Sequence, residues 1–257
     1  MHTNNIEISS LIEFIRQRIQ SIFKDNLLGL YLFGSLSYGD FLPGRSDIDL
    51  LAVTQNKTND SEIAKISKLY NEIGQKYPKW KGRVECSFTP EYMLKEVLPP
   101  KEPRPYFGEK FYKKATYGSE WLINNYLLQQ YGITLYGPDF NELTNPIRVE
   151  DVQEACVRDL IQEWKTKLNE PDFFENPHNQ TYFILNLCRI LYTVLQADAS
   201  SKKVAADWVM TNYPEWKVLI QEAQDWVYGE TMDRKDEAIR FLQFALSEVE
   251  NSRRING

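Results

Sequence analysis

Ile8, Leu11, Ile12, Ile15, Ile19, Ile22 and Phe23 recur at steps of three, four and one, the spacing of a single helical face. The chain therefore opens with an amphipathic helix that ends near Asp25-Asn26. LLGLYLF (27–33) and DIDLLAVT (47–54) are short apolar runs, the first halted by Gly34-Ser35, and both read as buried strands. A helix over about 60–75 follows. In RVECSFT (83–89), Val84, Cys86 and Phe88 alternate with Arg83, Glu85, Ser87 and Thr89, the pattern of a third strand with one polar side. Pro99, Pro100, Pro103 and Pro105 mark a turn-rich loop, 116–131 reads as a helix, and ITLYGPD (133–139) as a short strand broken by Gly137-Pro138. From about Val149 no β-type run returns, and helical stretches follow at roughly 150–168, 179–197, 201–228 (interrupted at Pro214) and 232–252. This change of character divides the chain into 1–148 and 149–257. The expected fold is α+β, with a small mixed sheet in the N-terminal unit and an all-α helical bundle in the C-terminal one.

A length of 257 residues suffices for two such units, and 42% apolar and 13% aromatic residues are too many for a disordered chain. The net charge of −6 offers no general attraction to a phosphate backbone, so nucleic acid is not expected as a partner and a cationic one fits better. Cys86, Cys156 and Cys188 are odd in number, lack metal-type spacing and sit in apolar contexts, as buried reduced thiols do. The opening MHTNNIEISS is polar and no apolar run reaches membrane-spanning length. A cytoplasmic, monomeric protein without a membrane partner is the expectation.

The chemistry concentrates in GSLSYGDFLPGRSDIDLLAV (34–53). Residues i and i+2 of a strand share a face, so Asp47 and Asp49 point one way while Ile48 and Leu50 face the core. Two carboxylates ~7 Å apart can converge on a cation between them, and an all-oxygen site with open positions suits Mg²⁺. Upstream, Gly34 permits close backbone approach while Ser35 supplies a hydroxyl and amide for phosphate oxygens, and Ser46 can donate likewise. Glu85, on the polar side of the next strand, is placed to share a metal or to take a proton from an attacking hydroxyl. Three acids on adjacent strands repel one another unless cations compensate. Taken singly, an Asp-x-Asp also serves as a turn or cap, Glu85 as a solvated strand residue and Gly34-Ser35 as a turn. Their order along the chain, from a strand through Gly-Ser and an acidic-pair strand to a Glu strand, is hard to produce by chance.

That order resembles the signature of polymerase-β-like nucleotidyltransferases. CRILYTVLQADASSKKVAADWVM (188–210), together with LYGPDF (135–140), is similar to the helical domain of streptomycin/spectinomycin adenylyltransferases. The resemblance implies a nucleotidyltransferase domain whose Asp47 and Asp49 hold Mg²⁺, whose Ser35 and Ser46 meet the phosphates of ATP, and whose Glu85 is the base for an antibiotic hydroxyl. It also implies a helical domain that completes the nucleotide and acceptor cleft, with Arg189 and Lys202 on the nucleotide. Apart from the family, Lys202 stands in a helical first turn, where the dipole does not favour a cation; it is a candidate for an anionic ligand, against the alternative of two solvated lysines at 202 and 203.

The implied activity is Mg-dependent transfer of AMP from ATP to an antibiotic hydroxyl, with release of pyrophosphate. Streptomycin-using relatives carry a tryptophan after Phe-Gly-Glu, whereas Lys110 follows Phe107-Gly108-Glu109 here; their aspartates at the opening of the arginine helix are matched by Glu175 and Asn179. The departures favour spectinomycin over streptomycin. Glu109, Glu170, Asp172 and Glu175 would attract a polycationic acceptor, or are ordinary solvated surface. Transfer to a protein or RNA hydroxyl, and an inactive nucleotide-binding module, are the competing readings; the presence of all three acids argues against the last.

Overall fold

The computed structural model describes residues 5–256, and these divide into two compact units between Pro146 and Ile147. The first begins with α1 (Ile6–Phe23), capped by the Asn5 side chain, which accepts the Glu7 and Ile8 amides. β1 (Leu27–Phe33), the single helical turn α2 (Ser35–Tyr38), β2 (Ile48–Thr54), α3 (Asp60–Lys76) and β3 (Val84–Pro90) follow. Asn59 and Glu62 form a reciprocal capping box at the start of α3. The unit closes with β4 (Arg104–Phe107), β5 (Phe111–Ala115), α4 (Trp121–Tyr131), β6 (Ile133–Tyr136) and the short α5 (Phe140–Leu143).

The six strands form one sheet in the order β5-β4-β3-β2-β1-β6. β2 and β3 run parallel, and the other neighbours are antiparallel. The apolar face of α1 and Ile66, Leu69 and Ile73 of α3 cover one side of this sheet, enclosing Leu30, Leu32, Ile48, Leu50, Val84, Cys86, Phe88 and Phe107. Arg18 forks onto Glu72 between the two helices at 2.9 and 3.0 Å. Strand alternation then assigns Tyr31, Phe33, Asp49, Leu51, Glu85 and Ser87 to the opposite side. Part of that side is closed by buried Tyr31, whose hydroxyl donates to the Pro138 carbonyl at 3.0 Å and whose ring meets Phe140 edge-on.

The proline-rich stretch is more ordered than its composition suggests. β4 lies within it, and β4 and β5 form a hairpin joined at Gly108 to Lys110, where the Gly108 amide donates to the Lys110 carbonyl at 3.0 Å. The helix expected from residue 116 starts at Trp121, because the Arg104 guanidinium holds the Ala115 and Thr116 carbonyls in the hairpin.

The second unit contains α6 (Val149–Asp159), α7 (Pro177–Gln196), α8 (Lys202–Asn212), α9 (Lys217–Asp225) and α10 (Lys235–Asn256). α7 is central and packs against the other four, which explains a helix apolar on most of its circumference, from Phe183 to Val194. After α6 the chain makes a π turn over Leu160–Trp164, with the buried Asp159 carboxylate accepting the Trp164 indole N–H at 2.7 Å. The three cysteines are buried and free. Among the described residues no helix is long and apolar enough to cross a membrane.

Candidate active site

β1 ends at Phe33 and the backbone turns at Gly34, whose φ of 69° and ψ of −159° fall in a region that a side chain makes strained. A Cβ at this position would overlap the Asp49 carboxylate, so the glycine is what lets Asp49 sit against the turn. The turn of α2 follows at once, with the Ser37 amide donating to the Gly34 carbonyl and the Asp40 amide to the Ser35 carbonyl, each at 3.0 Å. Ser46 stitches the loop before β2: its hydroxyl accepts the Leu42 amide at 3.0 Å and its own amide donates to the Leu42 carbonyl at 2.8 Å.

Asp49 pairs in register with Phe33 on β1 and with Glu85 on β3. Parallel strands stand ~4.8 Å apart, so the two acids are neighbours on one face. Asp47, one residue before β2, is drawn toward Arg83, whose Nε donates to its Oδ1 at 3.3 Å. The same guanidinium donates to the Pro43 carbonyl at 3.0 Å and to the Ser46 carbonyl, and lies 4.9 Å from the Trp80 ring. The acids thus stand as a side-by-side pair with a third held by an arginine. Among the described residues no three His, Cys, Asp or Glu side chains are gathered closely enough to hold a metal ion by themselves. That arrangement is compatible with Mg²⁺, which takes one or two carboxylates and leaves its other positions to water and phosphate oxygens. The donor set is all oxygen, and Gly34 keeps space at the Asp49 carboxylate.

β4 adds Tyr106 and Arg104 beside these acids, and neither was anticipated from sequence. Tyr106 is opposite Ser87, which makes it the diagonal neighbour of Glu85 on that face. Burial first, then the nearby Glu85 carboxylate, then the charge of Asp49, push this phenol far above the ordinary tyrosine value. Arg104 donates through Nε to the Ser87 hydroxyl at 2.7 Å and stacks 3.9 Å from the Tyr117 ring. The Tyr117 hydroxyl donates to Thr89 at 3.1 Å, so a polar ladder runs along this side of β3. Glu109 is exposed in the β4–β5 turn, where its carbonyl accepts the Tyr70 hydroxyl at 2.7 Å.

In the second unit Asn179, Tyr182, Asn186 and Arg189 follow at steps of three, four and three along one stripe of α7. Arg189 donates to the Asn186 side chain at 2.9 Å, and Asn179 donates to the Phe173 carbonyl at 3.0 Å. Lys202 opens α8 with its ammonium 3.9 Å from the Tyr182 ring, a cation–π contact that joins it to this stripe. Tyr182 and Asn186 belong to the stripe on the same helical spacing, a signal present in the sequence and passed over. Glu175 is exposed in the lead-in to α7, with Lys235 at 3.8 Å, and Glu170 pairs with Lys167 at 3.2 Å.

Comparison with known proteins bears on both units. The nucleotidyltransferase domain family matches residues 12–102, and the family described as aminoglycoside adenylyltransferase, C-terminal domain, matches residues 142–248. The chain thus joins a nucleotidyltransferase domain to the C-terminal domain of aminoglycoside adenylyltransferases. It is an enzyme of the nucleotidyltransferase type. An aminoglycoside (3'') (9) adenylyltransferase of Escherichia coli is 26% identical, over 95% of each chain. A spectinomycin 9-adenylyltransferase of Campylobacter jejuni is 24% identical, over 90% of this chain and 91% of its own. The fold matches that of a spectinomycin adenyltransferase from Enterococcus faecialis, crystallised with ATP and spectinomycin, with a TM-score of 0.72 over 94% of this chain and 99% of that one at 20% identity.

Proposed function

We propose that the chain transfers AMP from ATP to a hydroxyl of an aminocyclitol or aminoglycoside antibiotic, spectinomycin in preference to streptomycin. The observation that carries this reading is the register of Asp49 and Glu85 on the parallel pair β2 and β3, beside the Gly34-Ser35 turn. The two domain matches and the relatives' activities support it. Lys110, which stands in the hairpin turn where streptomycin-using relatives have an indole, supports the choice of acceptor.

In this mechanism the acceptor oxygen attacks the α-phosphorus of ATP, the bond from that phosphorus to the bridging oxygen breaks, and pyrophosphate departs. Glu85 takes the proton of the attacking hydroxyl. Asp47 and Asp49, with Glu85 beside them, would hold Mg²⁺, which when bound neutralises phosphate charge. Gly34 keeps the Asp49 carboxylate where a phosphate-bound cation can use it, and Ser35 and Ser46 offer hydroxyls to the phosphates. By the resemblance, Arg189 and Lys202 are assigned to the nucleotide, and Glu109, Glu175 and Asn179 to the acceptor.

Pyrophosphate release with Mg-ATP, measured against spectinomycin, streptomycin and a panel of deoxystreptamine antibiotics, tests the proposal. Turnover with spectinomycin that disappears without Mg²⁺ is the expected result. No release with any member of the panel would overturn it.

A further inference from the structure

Across the antiparallel pair β3 and β4, Ser87 is opposite Tyr106 and Cys86 opposite Phe107. Continuing that register one residue places Gly108 opposite Glu85, and makes Tyr106 the diagonal neighbour of Glu85 on the same face. Diagonal partners are within reach of a long aromatic side chain. The room it needs comes from the missing side chain at 108, since a Cβ there would lie 2.7 Å from the Tyr106 hydroxyl oxygen. The ring is held from its other sides, by Arg104 at 5.4 Å and by Tyr112 at 6.2 Å. That placement puts the hydroxyl, its pKa raised by burial and then by the Glu85 carboxylate, within the field of that carboxylate, and a phenol beside a carboxylate donates to it.

We propose that Tyr106 is a positioning residue of the transfer reaction, its phenol holding one oxygen of Glu85 so that the other faces the acceptor hydroxyl, with Gly108 supplying the space. This rests on the assignment of Glu85 as the base. The chemical step is unchanged: the acceptor O–H proton passes to Glu85, an oxygen–phosphorus bond forms and the bond to pyrophosphate breaks. Without the phenol the carboxylate loses one of the groups that orient it, and fewer encounters have its oxygen aligned for the proton. The loss therefore falls on kcat and not on substrate binding.

Tyr106→Phe, which removes only the hydroxyl, tests this with wild type measured alongside on spectinomycin and Mg-ATP. The expected result is a fall in kcat of about tenfold, the scale of one hydrogen bond to a charged group, with KM for both substrates within about twofold and an unchanged melting temperature. Gly108→Ala should reproduce the fall by displacing the phenol, and the double variant should be no worse than either single one. An unchanged kcat in Tyr106→Phe, or a rise in KM that accounts for the whole loss, overturns the proposal. A wild-type enzyme inert toward every acceptor would instead count against the adenylyl-transfer reading itself.

Discussion

Gly34→Ala separates backbone strain from side-chain overlap at the turn that carries Asp49. The backbone at 34 has φ 69° and ψ −159°, which glycine alone occupies without penalty, so alanine there costs about 1–3 kcal/mol. Its Cβ also meets the Asp49 carboxylate, with the carboxyl carbon at 2.8 Å, and clearing it means turning Asp49 off its rotamer for about another 1 kcal/mol. A total near 3 kcal/mol lowers the melting point of the first unit by roughly 6–12 °C. Turnover falls by at least about 100-fold, because the carboxylate is moved by an ångström or more. Calorimetry and pyrophosphate release on Gly34→Ala, Asp49→Ala and the double variant read both quantities. The overlap vanishes in the double variant, so its stability should exceed the sum of the single effects by about 1 kcal/mol, leaving the strain. A Gly34→Ala protein that melts within about 1 °C of wild type and turns over normally would refute the reasoning.

Asp49→Ala should abolish turnover while leaving the protein folded, as measured by circular dichroism, because it removes a like-charged neighbour of Glu85 and no core contact. Asp47→Ala should also abolish turnover, and it breaks the Arg83 pair as well, at a stability cost of up to about 1 kcal/mol. Glu85→Gln should still bind Mg-ATP in a calorimetric titration but stop transfer; retained activity would move the base elsewhere. Burial and then the Glu248 hydrogen bond push Tyr213 from 10 up to about 12, and burial pushes Cys156 from 9 to about 12 despite the opposing charge of Arg189. Both folded values are raised, so the folded state keeps protons that the unfolded chain releases first. The associated stability is present below pH 9 and is lost between about pH 9 and 12. A urea midpoint for the second unit that does not move between pH 8 and 11.5 would contradict this.

β1, β2, β3 and the long helices are legible in the sequence because apolar spacing records which face meets the core, and Ile8 to Phe23 is a clear example. β4 is not legible. Pro105 sits at its register irregularity, and a strand of four residues with a proline gives no alternation to read. Tyr106 goes unnoticed for the same reason. The helical stretch from 150 conceals a π turn, because the Asp159 to Trp164 contact that accompanies it spans a spacing that periodicity does not encode. Alternation also assigns Asp47 and Asp49 a common direction, but it is silent on which cation each meets. Arg83 reads as one more polar strand position and instead clamps the loop that carries Asp47.

Asp49 and Glu85 reach their shared position by way of a detour. β2 and β3 are parallel, so the chain between them must travel back along the sheet, and α3 makes that journey. The β1–β2 hairpin closes locally and brings Asp47 and Asp49 but not Glu85. The pair is therefore completed only when a distant crossover docks, a non-local step that folds slowly. On the proposed mechanism, an enzyme nicked or loosened between residues 55 and 83 would fall silent while much of its remaining architecture persists.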